Sequence, residues 1–443
     1  EFYKPTSFPK WVMINITDLS ENDCLAFYNE FEKIANQRGI TCPQPSFYTQ
    51  YWNSRERCSP DIGQIIVDLK KFVESNVDCK FFVFILMDNS GHQYGPLKSL
   101  FELEFGIVTQ MLKRKTVIKG TKKNSNEWNY GTIKNLVLKM NPKLDGINSI
   151  LKVDNIIANF FSAGHGIMYC GADLSHAAPG TDNRDSVVAV VASADDIPNR
   201  YFKELRVQHR PPQAKGESWE YIVDLKNIMY QLILQYYKCH KSPPKAIVFY
   251  RDGISESEFD SVFEKELNSI RTACVDLCEA YRPHITYIVV QKRHRIRFFP
   301  KENENVKAGT VIDSDDVTHP FKYDFFLNSH HGSLGTSRPT HYYVLYDDNR
   351  LTPDQVQMLT YALCHTYGRC TRSVAIPAPV KYADLLARRA AYYLETNEMS
   401  DTKSIASGSR LIPLGQDIEV HNTITSEPIR LSENLAPDSP FFL

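Results

Sequence analysis

Phe81 to Met87 reads FFVFILM, a continuous apolar run without alternation. A run this short, apolar toward both faces, fits a strand buried between two helical layers, as in a parallel sheet. The turn residues Asp88-Asn89-Ser90-Gly91 follow it, with a helix expected from about Pro96. Trp11 to Ile16 reads as an earlier strand, and Asn22 to Asn36 as an amphipathic helix ending near Gly39. Further strands are expected near 167–173, 186–193, 203–208, 245–250 and 286–291, with helices near 219–238 and 258–281. This alternation predicts an α/β fold with helices packed on a mixed sheet.

A chain of 443 residues is long for one core and suggests two or three domains. The small and polar residues from Asn148 to Gly166 place a boundary near 150. A hydrophobic share of 42% and a charged share of 23% exclude disordered, collagen-like and coiled-coil classes. Lys+Arg 51 against Asp+Glu 52 leaves a net charge of -1, so a polyanionic partner must be met by local basic patches. The longest apolar run falls far short of the ~20 residues that span a bilayer, and the start EFYKPTSF lacks a signal-peptide pattern. The expectation is a soluble intracellular protein with no membrane partner, cytoplasmic or nuclear.

The ten cysteines include no CxxC pair, and Cys274 and Cys278 have no histidine in metal spacing, so they read as reduced thiols. The sequon at Asn15 lies inside a strand and carries no weight as a glycan site. Pro211 to Ser218, Pro300 to Ala308 and Glu395 to Gly415 read as polar surface segments.

Asp173 follows the apolar run Ile167 to Ala172, and Asp252 follows Ala246 to Tyr250. Acids where buried strands surface stand at the usual place for function in an α/β sheet. Converging carboxylates suit Mg²⁺ or Mn²⁺, and two such ions ~3.5–4 Å apart can drive phosphodiester hydrolysis. Each Asp could equally cap the turn that follows it.

The segments GADLSHAAPG, IVFYRDGISESEF, IVVQKRHRIRFF, GTSRPTHYYVLYDDN and LTYALCHTYGRCTRSVAIPAPVKYADLLARRAAYYL together resemble the PIWI domain of Argonaute proteins, over about 167 to 394. A collinear resemblance to the MID domain covers about 80 to 150. The fold implied is a Rossmann-like MID domain followed by an RNase H-like PIWI domain. Residues 1–20 would be linker region and first strand, 21–150 MID and 151–443 PIWI. The chain is expected to be the C-terminal lobe of a longer eukaryotic Argonaute.

The resemblance implies catalytic acids Asp173, Glu220, Asp252 and Asp384, with Asp173, Asp252 and Asp384 as ligands of two Mg²⁺ ions, Mn²⁺ being an alternative. Asp384 stands where some relatives have His. Anchoring on EYIVDL and LQYYK selects Glu220, with Glu217 as competitor; either could be a solvated acid at a helix N-terminus. The activity implied is guided cleavage of RNA to a 3′-hydroxyl and a 5′-phosphate.

The stretch from Lys98 to Lys143 is basic, and Lys113, Lys115, Lys122 and Lys123 read as solvated surface. The MID resemblance assigns Tyr94, Lys98, Gln110, Lys139 and Lys143 to the guide 5′-phosphate and first base, and Arg389 from the PIWI side to the same pocket, with Arg388 its rival. Arg369, Arg372 and Tyr382 match guide-backbone positions. Lys381 stands where many relatives have an aromatic residue, and Ala375 where many have Ser. Lys292, Arg293, Arg295 and Arg297 form a basic run that could touch nucleic acid or simply solubilise the surface. His176, His319, His330, His331 and His341 lack zinc spacing and read as hydrogen-bonding scaffold.

The partners implied are a small guide RNA with a 5′-phosphate, a complementary target RNA and Trp-rich silencing scaffold proteins. One rival is a guide-binding lobe that silences through recruited partners without cleaving. Another is an RNase H-like transposase or integrase, which leaves Tyr94, Lys98, Gln110, Lys139 and Lys143 without a role.

Overall fold

The computed structural model describes residues 1–48, 61–118, 127–152, 160, 166–176, 185–209, 220–301, 304–332, 335–404 and 425–443, with side chains of the last helix described to residue 394. It forms two compact units. Unit 1 holds residues 1–149, 391–413 and 430–443, and unit 2 holds 150–390 and 414–429. Glu217, the segment 211–218, and Lys122 and Lys123 lie outside the described residues.

Unit 1 runs β1 (Trp11–Asn15), α1 (Glu21–Asn36), β2 (Ser46–Tyr48), α2 (Ile62–Ser75), β3 (Phe81–Leu86), α3 (Gly91–Ser99), a π-helical turn (Leu100–Phe105), β4 (Val108–Lys113), α4 (Arg114–Val117) and α5 (Tyr130–Lys143). Its four described strands are parallel, in the order β2-β1-β3-β4. β3 explains the unbroken apolar run. Its side chains alternate, so Phe81, Val83 and Ile85 enter a core with residues of α1 and α5, while Phe82, Phe84 and Leu86 enter a second core with residues of α2 and α3. α1 starts in a capping box in which the Ser20 hydroxyl accepts from the Asp23 N–H and the Asp23 carboxylate accepts from the Ser20 N–H.

The helix expected from Pro96 begins five residues earlier, at Gly91. Ser90 donates both its N–H and its hydroxyl to the Met87 carbonyl, which folds the turn directly into α3 and leaves Pro96 inside the helix.

Unit 2 runs β5 (Ile167–Ser175), β6 (Ser186–Ser193), β7 (Tyr201–His209), α6 (Leu225–His240), β8 (Ala246–Asp252), a 3-10 turn (Glu256–Glu258), α7 (Phe259–Leu277), β9 (His284–Gln291), β10 (Thr310–Ile312), β11 (Tyr323–Asn328), β12 (Thr340–Asp347), α8 (Pro353–Leu363), α9 (Ala378–Ser404) and β13 (Thr425–Pro428). From Ala391 onward α9 counts with unit 1. The strand order is β10-β11-β12-β9-β8-β5-β6-β7-β13, with β5, β8 and β9 parallel and the other pairs antiparallel. Met168, Cys170, Ala172, Ile247 and Phe249 face α6 and α7, while Tyr169, Val248 and Tyr250 face α8 and the start of α9.

Two expectations shift. Asp173 lies within β5 and Asp252 ends β8, because the ladder continues past the apolar run, with Asp173 paired to Ala189. The helix expected from 219 starts at Leu225, so Glu220 precedes it. The backbone there is taken up by side chains instead: the Ile222 N–H donates to Glu266 and the Val223 N–H to Gln208.

Candidate functional site

In the parallel β5/β8 pair Ala172 lies opposite Arg251, so the next residues, Asp173 and Asp252, stand side by side. Alternation sends both toward the α9 side of the sheet, and Arg251 toward α7. Asp252 and Asp384, the latter on α9, are buried. Burial, reinforced by the charges of Asp252 and Asp384, pushes the Asp173 carboxyl up to about 6. Burial also acts to raise Asp384, but its bonds to Lys381 and the nearby Lys292 and Arg388 hold its carboxyl below the ordinary value.

Each of the two buried acids has a cation. Asp252 pairs with Lys292, and Asp384 pairs with Lys381 at 2.8 Å and Arg388 at 2.9 Å. Among the described residues no three His, Cys, Asp or Glu side chains are gathered closely enough to hold a metal ion as they stand. Like charges at close quarters cost several kcal/mol, and these ion pairs relieve the repulsion.

Glu220 is bound through both ends. Its carboxylate meets His176 Nε2 at 3.2 Å, and its carbonyl accepts from Arg251. Arg251 also donates to the Asp252 carbonyl and pairs with Glu266, Nε to Oε1 3.2 Å. Glu266 in turn accepts from the Tyr287 hydroxyl at 2.6 Å and the Ile222 N–H at 2.9 Å. One buried ion pair therefore ties the segment carrying Glu220 to the end of the strand carrying Asp252.

Unit 1 gathers a second constellation. Lys98 Nζ lies 3.0 Å from the Thr109 carbonyl, 2.7 Å from its hydroxyl and 3.2 Å from Glu102 Oε1. Lys143 Nζ reaches the same carbonyl at 3.2 Å and Gln110 Oε1 at 3.3 Å. Tyr94, one turn before Lys98 on α3, has its ring centroid 5.9 Å from that ammonium. Lys139 stands one turn before Lys143 on α5, half-buried. Glu102 also accepts from the Tyr393 hydroxyl at 2.5 Å.

A family model described as Piwi domain matches residues 81–395. The chain belongs to the Piwi domain family. Its fold is that of an Argonaute C-terminal lobe, with the RNase H-like Piwi architecture. It is similar to the crystal structure of the C-terminal lobe of a budding yeast Argonaute, at 24% identity and a TM-score of 0.80, over 100% of this chain and 87% of that one. It is similar to Kluyveromyces polysporus Argonaute with a guide RNA, at 24% identity and 0.78, over 99% of this chain and 48% of that one. Drosophila Piwi matches at 23% and 0.69, over 86% of this chain and 49% of that one. The chain thus spans about half the length of the last two.

Within this Piwi domain the remaining expected residues separate. Arg389 lies buried on α9 in unit 2. Arg372 is exposed and Arg369 half-buried. Tyr382, matched to a guide-backbone position, is 2% exposed; its hydroxyl accepts from the Gly368 N–H at 2.8 Å and its ring packs on Tyr201 and Tyr367. It fixes the turn that carries Arg369. His341 is scaffold, paired with Asp324.

The reading of the sequence missed Arg251 and Glu266, although both left a signal. Arg251 occupies an inward position of an apolar strand, and Glu266 falls on the apolar stripe Val262, Ile270, Ala273 of α7. A charge on each of two faces that pack together calls for a pair. No helix among the described residues is long and apolar enough to cross a membrane.

Proposed function

We propose that this chain binds a small guide RNA through its 5′-phosphate and cleaves complementary target RNA. The observation that carries the reading is the convergence of Lys98 and Lys143, both 1% exposed, on the single carbonyl of Thr109. Two ammonium groups held on one point add their fields there, and a terminal phosphate is the anion whose several oxygens use such donors best. Gln110 and Lys139 would add contacts, and the Tyr94 ring would stack on the first base.

For cleavage, carboxylate oxygens are the donors that Mg²⁺ or Mn²⁺ prefer, so Asp173, Asp252 and Asp384 supply the donor chemistry that would hold two such ions once drawn together, with Glu220 as fourth acid. The bound ions would supply activation of the attacking water and stabilisation of the leaving 3′ oxygen. Asp173, near 6, gives up its proton at neutral pH. Arg251 holds the carbonyls of Glu220 and Asp252, and His176 orients the Glu220 carboxylate. These two are positioning residues.

The test compares binding of a short RNA bearing a 5′-phosphate with its 5′-hydroxyl counterpart at fixed salt, then target cleavage with Mg²⁺ by wild type and Asp252→Ala. A phosphate preference, with cleavage lost in the variant, is expected. Equal binding of both RNAs ends the guide reading, and cleavage by Asp252→Ala at the wild-type rate ends the acid assignment.

A second reading, a guide-binding lobe that silences through protein partners without cleaving, is favoured by the ion pairs on Asp252 and Asp384. Phosphate preference without any cleavage by wild type would select it.

A further inference from the structure

The cations paired with the buried acids differ from an ordinary structural ion pair. In the Arg251–Glu266 pair both side chains are 0% exposed. In the acid cluster the carboxylates are 7% and 9% exposed, but the side chains of Lys292, Lys381 and Arg388 are 35%, 31% and 69% exposed. The acids form a floor, and the cations reach down to it from the rim. Lys381 and Arg388 lie three residues before and four after Asp384 on α9, so the helix itself sets them around that carboxylate, one on each oxygen. Lys292 follows β9 directly and pairs with Asp252 across the parallel β8/β9 pair. With a cation on each oxygen, Asp384 presents a divalent ion with a carboxylate whose charge is already balanced, so binding the ion is favoured when a cation lets go.

We propose that Lys381, Arg388 and Lys292 form a displaceable clamp that keeps the acid cluster charge-balanced without nucleic acid and moves onto the phosphates of an entering RNA strand, freeing carboxylate oxygens for divalent ions. The inference rests on the acid–metal reading above. Three cations balance the three carboxylates Asp173, Asp252 and Asp384. The half-buried ammonium groups and the exposed guanidinium exchange a carboxylate for a phosphate at modest desolvation cost, because both states leave their outer faces in water. Once they turn to phosphate, the carboxylates regain their field for a divalent cation. RNA binding and metal binding are thereby positively coupled, and by linkage each strengthens the other.

The test reads Mn²⁺ binding to the whole 443-residue chain by electron paramagnetic resonance of free Mn²⁺, with and without a 5′-phosphorylated RNA paired to its complement. Without RNA, Lys292→Met should bind Mn²⁺ about tenfold more tightly than wild type, the scale of removing one neighbouring charge, and the double variant Lys381→Met with Arg388→Leu, which removes two, at least as much. Addition of RNA should tighten Mn²⁺ binding to wild type and change the double variant little. Unchanged or weaker Mn²⁺ binding by both clamp variants in the absence of RNA overturns the clamp. Asp252→Asn and Asp384→Asn separate this from failure of the metal reading. If Mn²⁺ uptake survives both, or no form takes up Mn²⁺, the acids are not the metal site and the clamp falls with them; if uptake is lost there while the clamp variants behave as wild type, only the clamp fails.

Discussion

Arg251 and Glu266 form an ion pair with both side chains fully buried, and the pair holds two separate stretches of chain at once: the carbonyls of Glu220 and Asp252 through Arg251, the N–H of Ile222 through Glu266. Opposite faces of β8 therefore divide the work. Asp252 looks toward α9 and the other acids, while the residue before it anchors the segment that delivers Glu220.

Glu266→Gln should be strongly destabilising, because it leaves the Arg251 charge buried without its counter-charge. Breaking such a pair costs about 3–5 kcal/mol, read as a fall in unfolding free energy in urea. A loss under ~1 kcal/mol, in the range of an exposed pair, would show that the pair does not hold this part of the fold.

Gly171→Ala should cost about 1–3 kcal/mol, the usual range for overpacking. A Cβ at this position would fall on the carbonyl group of Pro379 at the start of α9, so β5 and α9 must part. Thermal unfolding measures the loss. Cleavage should fall further than stability alone accounts for, since the displaced helix carries Asp384.

Lys98→Met and Lys143→Met should both weaken preference for a 5′-phosphate by about 1.5–3 kcal/mol, the worth of a charged hydrogen bond. Lys98→Met should also lower the melting temperature, because it takes the ion-pair partner from buried Glu102. A melting temperature equal to wild type in Lys98→Met would contradict that pairing.

Protons should compete with divalent ions at Asp173. Its folded carboxyl lies near 6 against an ordinary value of 3.8. Mn²⁺ binding should therefore weaken about tenfold between pH 7 and pH 5 from this group, and Asp173→Asn should abolish that dependence along with most of the binding. The stability sign is the reverse of a salt-bridged acid. The folded state holds the extra proton between about 3.8 and 6, so this group's contribution falls as pH rises through that window.

His209 has the same pH sign at a higher window. Its hydrogen bond to Asp185, at 2.6 Å, outweighs burial and, with the charges of Asp185 and Glu427, raises its affinity for a proton. Its contribution is fully present below the ordinary 6.5 and is lost as pH rises through the higher folded value. Thr425 of β13 pairs with His209 in the sheet. Amide exchange in β13 should accelerate with rising pH beyond the ordinary base-catalysed trend, and His209→Gln should remove the excess.

What the sequence made legible was what neighbours along the chain dictate. The run FFVFILM is a strand because β3 feeds two cores, and the apolar spacing from Asn22 to Asn36 is α1 because its stripe packs on one of them. Lys381 and Arg388 stand at helical spacing from Asp384, a local signal that went unread. Glu220 was placed on a helix because its surroundings carry a helical pattern; Arg251, Glu266 and Gln208 claim that backbone first.

The sequence by itself determined the alternating α/β elements, the family and two acids next to apolar strand runs, because periodicity and motifs are properties of contiguous residues. Only the tertiary structure decided that β5 and β8 lie adjacent with Asp173 beside Asp252, that Lys98 and Lys143 share the Thr109 carbonyl, and that Lys292 reaches Asp252. Those meetings depend on strand order and register. Sheet hydrogen bonds and packing between distant segments fix both, and no local pattern encodes which distant partner wins.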